Sequence, residues 1–271
     1  MESAAALRAL LARAPIRVSK PDEQASEAPE ALRVQAEWIG ASLGTLRQMV
    51  EALAAEANAV AEDMLVIWQS AEIVTGSRVA APLALAADAI AAALADLGTL
   101  AERRIAVLFE LGLSRRKGSK KPEPAMSVAA LRSTAKSLAA ENRERAQPVG
   151  LQFVGDAAAG AEQAAILVPG ARRLLPMAGN VTLIVAIELM AAADEFKGRK
   201  RTSAALQPVR DLLRARAPQR GNDPLLAPDL AAVADLVRSG AIARATGLDL
   251  PNLTTSAAVS SKHLGGRGKR S

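Results

Sequence analysis

Apolar residues recur along most of this chain at spacings of four and three, the pattern of helices that bury one face. The clearest stripe is Ile39, Leu43, Leu46, Val50, Leu53, Ala57, Val60 and Met64, which predicts one long helix. Gly40 and Gly44 fall within it. Both lower helix propensity, and both point to close approach of a neighbouring helix. A second stripe opens at Pro82 and runs through Leu83, Ala87, Ile90, Leu94, Leu97 and Ala101 towards Leu108. Proline suits a first helical turn, where its missing N–H would have had no partner. After a basic linker from Gly112 to Pro124, periodicity resumes at Val128, Leu131, Ala135 and Leu138, and Gln147, Pro148 and Gly150 break it.

Further helices are predicted over Ala157–Leu175, perturbed at Pro169, and from Asn180 to Phe196. Two shorter ones cover Thr202–Ala215 and Asp229–Arg244, the latter with Asp229 as candidate cap and Gly240 as its weak or terminal point. At the start, Leu7, Leu10 and Leu11 share one face of a terminal helix within Met1–Ala14. Few segments alternate as strands; Val149–Gly155 is a candidate for a short extended piece, and a sheet protein is not expected. The expected fold class is all-α, a bundle of long helices. The expected organisation is an N-terminal helix and linker over 1–20, a helical bundle domain over 21–247 with a basic loop at 112–124, and a disordered basic tail over 248–271.

Composition sharpens that picture. The chain has 271 residues, half of them apolar, with three Phe, two Trp and no Tyr. A core built mainly from alanine and leucine favours close helix contacts. Helices this long have more apolar face than one small bundle covers, so oligomerisation through helix faces is expected, with an extended monomeric bundle as the alternative. The absence of cysteine excludes disulfides, thiolate catalysis and Cys-based zinc sites, and suits a reducing cytoplasm. The apolar run Val181–Ala193 is interrupted by Glu188 and is too short for a bilayer, and the acidic start does not read as a secretion signal. A cytoplasmic protein without membrane contact is therefore expected.

The net charge of +6 is local, with Arg115, Arg116, Lys117, Lys120 and Lys121 in one cluster and Lys262, Arg267, Lys269 and Arg270 in another. Neither is interleaved with aromatics, so solvated loops are the first expectation and a basic nucleic-acid-binding helical protein a lesser alternative. His263, the only histidine, has no companions for a metal site, and none is expected.

Several stretches then carry a family resemblance, in matching order. ALRALLARAPIR (Ala6–Arg17) resembles the segment linking the two halves of histidine ammonia-lyase. EAPEALRVQAEWIGA (Glu27–Ala41) resembles QDPYSLRCxPQVxGA, and EANAVAEDMLV (Glu56–Val66) resembles ELNSxTDNPLV. LADLGTLAERRIAVLFE, ending at Glu110, is similar to LAELGNISERRIxxLxD, and LAAENRERAQP (Leu138–Pro148) to LVSENKxLxHP. GNVTLIVAIELMAAADEF and LLAPDLAAVADLVRSGAI resemble two later motifs of the same enzymes. The chain thus resembles the C-terminal half of the aromatic-amino-acid ammonia-lyases from about Ala6 to Ile242. These are chiefly frame motifs, which warrant a fold more than an activity.

The resemblance implies a reaction that this sequence does not support by itself. The family eliminates ammonia with a methylidene-imidazolone electrophile formed from an internal Ala-Ser-Gly in its N-terminal half. No Ala-Ser-Gly occurs here; Arg238, Ser239 and Gly240 belong to the closing helix motif. The electrophile is expected only from a partner chain. Arg33 matches the arginine that binds the substrate carboxylate, chemically a bidentate partner; a retained structural ion pair with one of the nearby glutamates is the first expectation for it and a ligand carboxylate the second. The family's tyrosine three positions earlier is Glu30, and its glutamine is Glu27. In the GGNFHG loop the chain reads Thr75–Ala80, with Arg78 replacing the aromatic wall residue.

The family's QEDH falls on Gly160, Ala161, Glu162 and Gln163, so Ala161 replaces the catalytic glutamate. Glu162 is a weak catalytic candidate, because one residue on a helix is a rotation of about 100 degrees. Asn58 matches a structural asparagine at the tetramer core, and Arg103 and Arg104 match the frame's ERR, with surface or intersubunit pairing expected for both arginines. The leading expectation is a catalytically degenerate ammonia-lyase-like subunit or scaffold, a pseudoenzyme. It would be oligomeric with itself or with an electrophile-bearing lyase subunit. The alternative is a substrate-site component of a composite ammonia-lyase or aminomutase.

Overall fold

The computed structural model describes residues 2–14, 29–59, 65–67, 72–74, 81–116, 126–149, 168–195, 202–217 and 227–254. In chain order the elements are α1 (Glu2–Leu10), α2 (Glu30–Arg33), α3 (Gln35–Ala57), β1 (Leu65–Ile67), β2 (Glu72–Val74), α4 (Ala81–Arg116) and α5 (Met126–Arg145). They continue with α6 (Leu174–Glu195), α7 (Leu206–Arg216), α8 (Ala227–Arg238) and α9 (Ala241–Ala245). The architecture is the all-α helical bundle expected, with one small antiparallel hairpin in which Leu65 pairs Val74 and Ile67 pairs Glu72.

Helix α4 is the central post and packs against α3, α5 and α6. Small residues set the contacts. Ala91 and Ala95 close on Met177, while Ala101 and Ile105 meet Ala135 and Ala139 of α5 and Ile184 and Ile187 of α6. Rising residue numbers on α4 meet rising numbers on α6, so these two helices run parallel. Helix α5 runs back along them, with Arg132 over the Phe109 ring at 4.8 Å and Asn142 beside Gly98. A second core joins α6, α7 and α8 through Ala186, Val209, Leu213, Val233, Ala234 and Leu236.

Two helices, Pro82–Glu110 and Val168–Ala193, are long and apolar enough to cross a membrane by length and composition. The second extends further than the Val181–Ala193 run read from sequence. Both carry apolar faces that the bundle core uses.

Several boundaries differ from the sequence expectations for identifiable reasons. The α3 stripe does not reach Met64. Asn58 ends the helix, its amide Nδ2 donating to the Ala54 carbonyl at 2.6 Å. Such a side chain meets the unpaired carbonyls of a last turn. Residues 60–64 lie outside the described residues, as does most of the extended piece at Val149–Gly155. Gly112–Arg116, assigned to the linker, continue α4. Asn180 does not open α6; it lies a turn and a half inside, where its amide bonds another helix. Helix α6 begins at Leu174, and Pro176 occupies its first turn.

Asp229 is likewise in the first turn of α8, not ahead of it. Gly240 does end that helix, at φ 71°, and α9 follows. Of the two glycines in α3, Gly40 is the close-approach site, since a Cβ there would lie 2.9 Å from Ser3 Oγ of α1; Gly44 has nothing within 4 Å. The first residues assigned to the tail are held in place: the Asn252 carbonyl accepts from Arg47 Nε and Nη2 at 2.8 and 2.6 Å. Residues 255–271, with His263, lie outside the described residues.

Candidate functional site

The two site candidates within the described residues lie on α2, a four-residue helix entered through Pro29. Glu30 and Arg33 are its first and last residues, three apart and so on one side of the turn. Both are exposed. Arg33 is engaged in a polar or electrostatic interaction within the chain. Position 30 carries a carboxylate, where a phenol would be a neutral donor, on the same side of the turn as Arg33. Glu27, Arg78, Gly160, Ala161, Glu162 and Gln163 lie outside the described residues. So do Lys117, Lys120, Lys121 and the basic cluster of the tail, while Arg115 and Arg116 close α4.

The described carboxylates nearest the bundle core have another role. Arg104 Nε donates to Glu188 Oε1 at 2.5 Å and Nη2 to Oε2 at 2.8 Å, a forked pair tying α4 to α6. Both side chains are largely covered, at 16% and 19% exposure. Arg104 Nη1 is buried without a hydrogen-bond partner. The expectation of surface or intersubunit pairing is thus corrected for Arg104, whose partner is within the chain; Arg103 is exposed.

A second cluster escaped the sequence reading. Asp88 of α4 pairs with Arg173, just before α6, and accepts the Val149 backbone N–H at 3.1 and 3.2 Å. Arg173 also donates to the carbonyls of Arg145 and Gln147, which closes the end of α5. The available signal was one acid in an otherwise apolar run, AADAI. Beside it lies an amide pair of buried Asn142 and half-buried Asn180: Asn142 Nδ2 donates to the Met177 carbonyl at 3.0 Å, and Asn180 Nδ2 to Asn142 Oδ1 at 3.0 Å.

These groups hold helices in register. Among the described residues, no set of three or more His, Cys, Asp or Glu is placed to hold a metal. Asp88 and Glu188, the carboxylates of these two clusters, each face a guanidinium.

The model of the aromatic amino acid lyase family matches residues 1–215. The chain belongs to that family. Among solved structures, histidine ammonia-lyase from Trypanosoma cruzi is 26% identical with a TM-score of 0.74, over 91% of this chain and 46% of that one. Tyrosine aminomutase from Streptomyces globisporus is 27% identical with a TM-score of 0.77, over 92% of this chain and 53% of the other. Pantoea agglomerans phenylalanine aminomutase, at 20% identity and a TM-score of 0.73, over 86% of this chain and 50% of that one, shares the fold. This family member thus spans about half the length of the solved relatives it matches. The Ala-Ser-Gly that would form an electrophile is not in its sequence, so its residues do not fit that group and no step through it is assigned to this chain.

Proposed function

We propose that this chain is a catalytically degenerate, ammonia-lyase-like helical subunit. It corresponds to the C-terminal half of the family's protomer and works within an oligomer. The observation that carries this reading is the contrast between two arginines. Arg104 has a forked partner inside the bundle, whereas Arg33, itself engaged in an interaction within the chain, lies on an exposed turn with Glu30 where the family pattern has a tyrosine. The frame groups are kept, whereas the family's pocket pattern is changed in sequence at Glu27, Glu30, Arg78 and Ala161, and that difference supports the reading.

Uncovered apolar surface supports assembly. Only 22% of the most apolar window of Val168–Ala193 is buried within the chain, and Trp38, Val50, Leu53 and Leu175 are exposed. Where such residues form a contiguous patch, it marks a contact surface, and the proposed occupant is a second chain. The partner is a second copy or a lyase-like subunit bearing the methylidene-imidazolone, and the complex is cytoplasmic.

Mass spectrometry of the intact complex, purified gently from its source, tests the proposal. Recovery in an oligomer without ammonia release from aromatic amino acids or histidine is the expected result. Monomer alone, with every candidate partner present, would refute the assembly reading. The composite-enzyme alternative rests on Arg33, which matches the family's carboxylate anchor. It requires partner-dependent elimination that Arg33→Ala weakens.

A further inference from the structure

Positive charge is concentrated where the sequence patterns drew no notice. Residues 197–220 hold eight Lys and Arg against the single acid Asp211, a net of +7, while the whole chain carries +6. The described part of that segment is residues 202–217, which contain α7. Burial of Val209 and Leu213 against α6 and α8 fixes its rotation. Arg210 and Arg214, each one position further on, therefore share one flank about 6 Å apart along the axis. Arg214 and Arg216 are exposed, and Arg210 is half-buried.

None of the three arginines has an ion pair among the described residues, and the Arg210 Nε is buried without any hydrogen-bond partner. The only acid of the helix, Asp211, is occupied by the Gln207 amide at 2.9 and 3.1 Å. Interaction with the helix dipole accounts for cations in the last turn, Arg214 and Arg216, but not for Arg210.

We propose that the α7 flank bearing Arg210 and Arg214 binds the phosphodiester backbone of duplex nucleic acid without reading its sequence. Six of the eight basic residues in the segment are arginines, whose planar fork matches phosphate. The segment contains no aromatic residue for base stacking. A bilayer is the poorer partner, because Val209 and Leu213 are committed to the core and leave no free apolar face for insertion. The segment is distinct in sequence from the clusters at Arg115–Lys121 and in the tail.

The test is fluorescence anisotropy of a labelled mixed-sequence duplex titrated with the full chain between about 50 and 200 mM salt. Binding that weakens steeply with salt is expected. Arg210→Gln with Arg214→Gln should lower the slope of log affinity against log salt by about 2, since each phosphate contact contributes about 0.9. The exposed pair Arg214→Gln with Arg216→Gln, which spares the half-buried residue, should also lower it, with unchanged circular dichroism. Neutralising Arg115–Lys121 should leave the slope in place. Absence of duplex binding at low salt overturns the proposal. So does a slope unmoved by the α7 variants, or binding to anionic phospholipid vesicles with none to the duplex.

Discussion

The α4–α6 contact and helix α2 hold the two arginines most relevant to the family pattern, in opposite surroundings. Arg104 sits between long helices at 16% side-chain exposure and reaches a carboxylate on the facing helix. Arg33 sits on one exposed turn with Glu30 three residues away. A change at Glu188 would leave a half-buried guanidinium without its partner, whereas an exposed turn tolerates tyrosine or glutamate alike. Position in the fold thus decides which family groups can be altered without unfolding the protein. That is why a working frame does not imply a working site.

The sharpest way to break this comparison is Glu188→Ala. Removing one partner of a largely covered ion pair should cost about 3 kcal/mol of unfolding free energy in a urea titration. Arg33→Ala should change the same measurement by under about 1 kcal/mol. Equal losses would dissolve the distinction between frame and site. Asn142→Ala comes next, at about 2 kcal/mol, because it strips both hydrogen bonds from a fully buried amide and leaves Asn180 unpaired in the same contact. Thermal unfolding followed by circular dichroism would register it.

A smaller effect of opposite sign is expected for Gly44→Ala. Nothing lies within 4 Å of the added Cβ, so helix propensity should raise stability by roughly 0.5–1 kcal/mol. A loss there would place an unrecognised neighbour against α3. The slightest effect concerns pH. Its hydrogen bond with Arg47 holds the Glu2 carboxyl below its ordinary 4.5. A lowered carboxylate pKa contributes stability that is present above the ordinary value and lost as pH falls through the folded one. Protection of the α1 amides, after correction for the intrinsic pH dependence of exchange, should therefore fall slightly only below about pH 4.5, and Arg47→Ala should abolish that dependence.

Much of the frame could be read from the chain because long helices repeat their pattern many times. The stripe from Leu83 to Leu108 placed α4, and the breaks at Gln147 and Pro148 placed the end of α5. Failures came where one polar side chain decides an outcome that periodicity cannot weigh. Asn58 caps a stripe that would otherwise continue to Met64. Asn180 looks like a helix opener but bonds Asn142 across an interface. Arg104 gave no hint in sequence that its partner lies 84 residues further on in the same chain. Glu30 and Arg33 were legible as neighbours, since three residues on any helix share a side. The Asp88–Arg173 cluster was not, because its members are far apart in sequence and meet only when α4 and α6 run parallel.

The guanidinium of Arg47 joins three parts of the molecule, bonding Glu2 at the start of α1 and the Asn252 carbonyl near the far end of the described chain. Whichever of these segments docks first restricts the rotamers of Arg47 and so lowers the entropy the other must overcome. Residues separated by 250 positions are thereby coupled through one guanidinium. A nick or a bulky fusion at one terminus would be felt as faster exchange at the other.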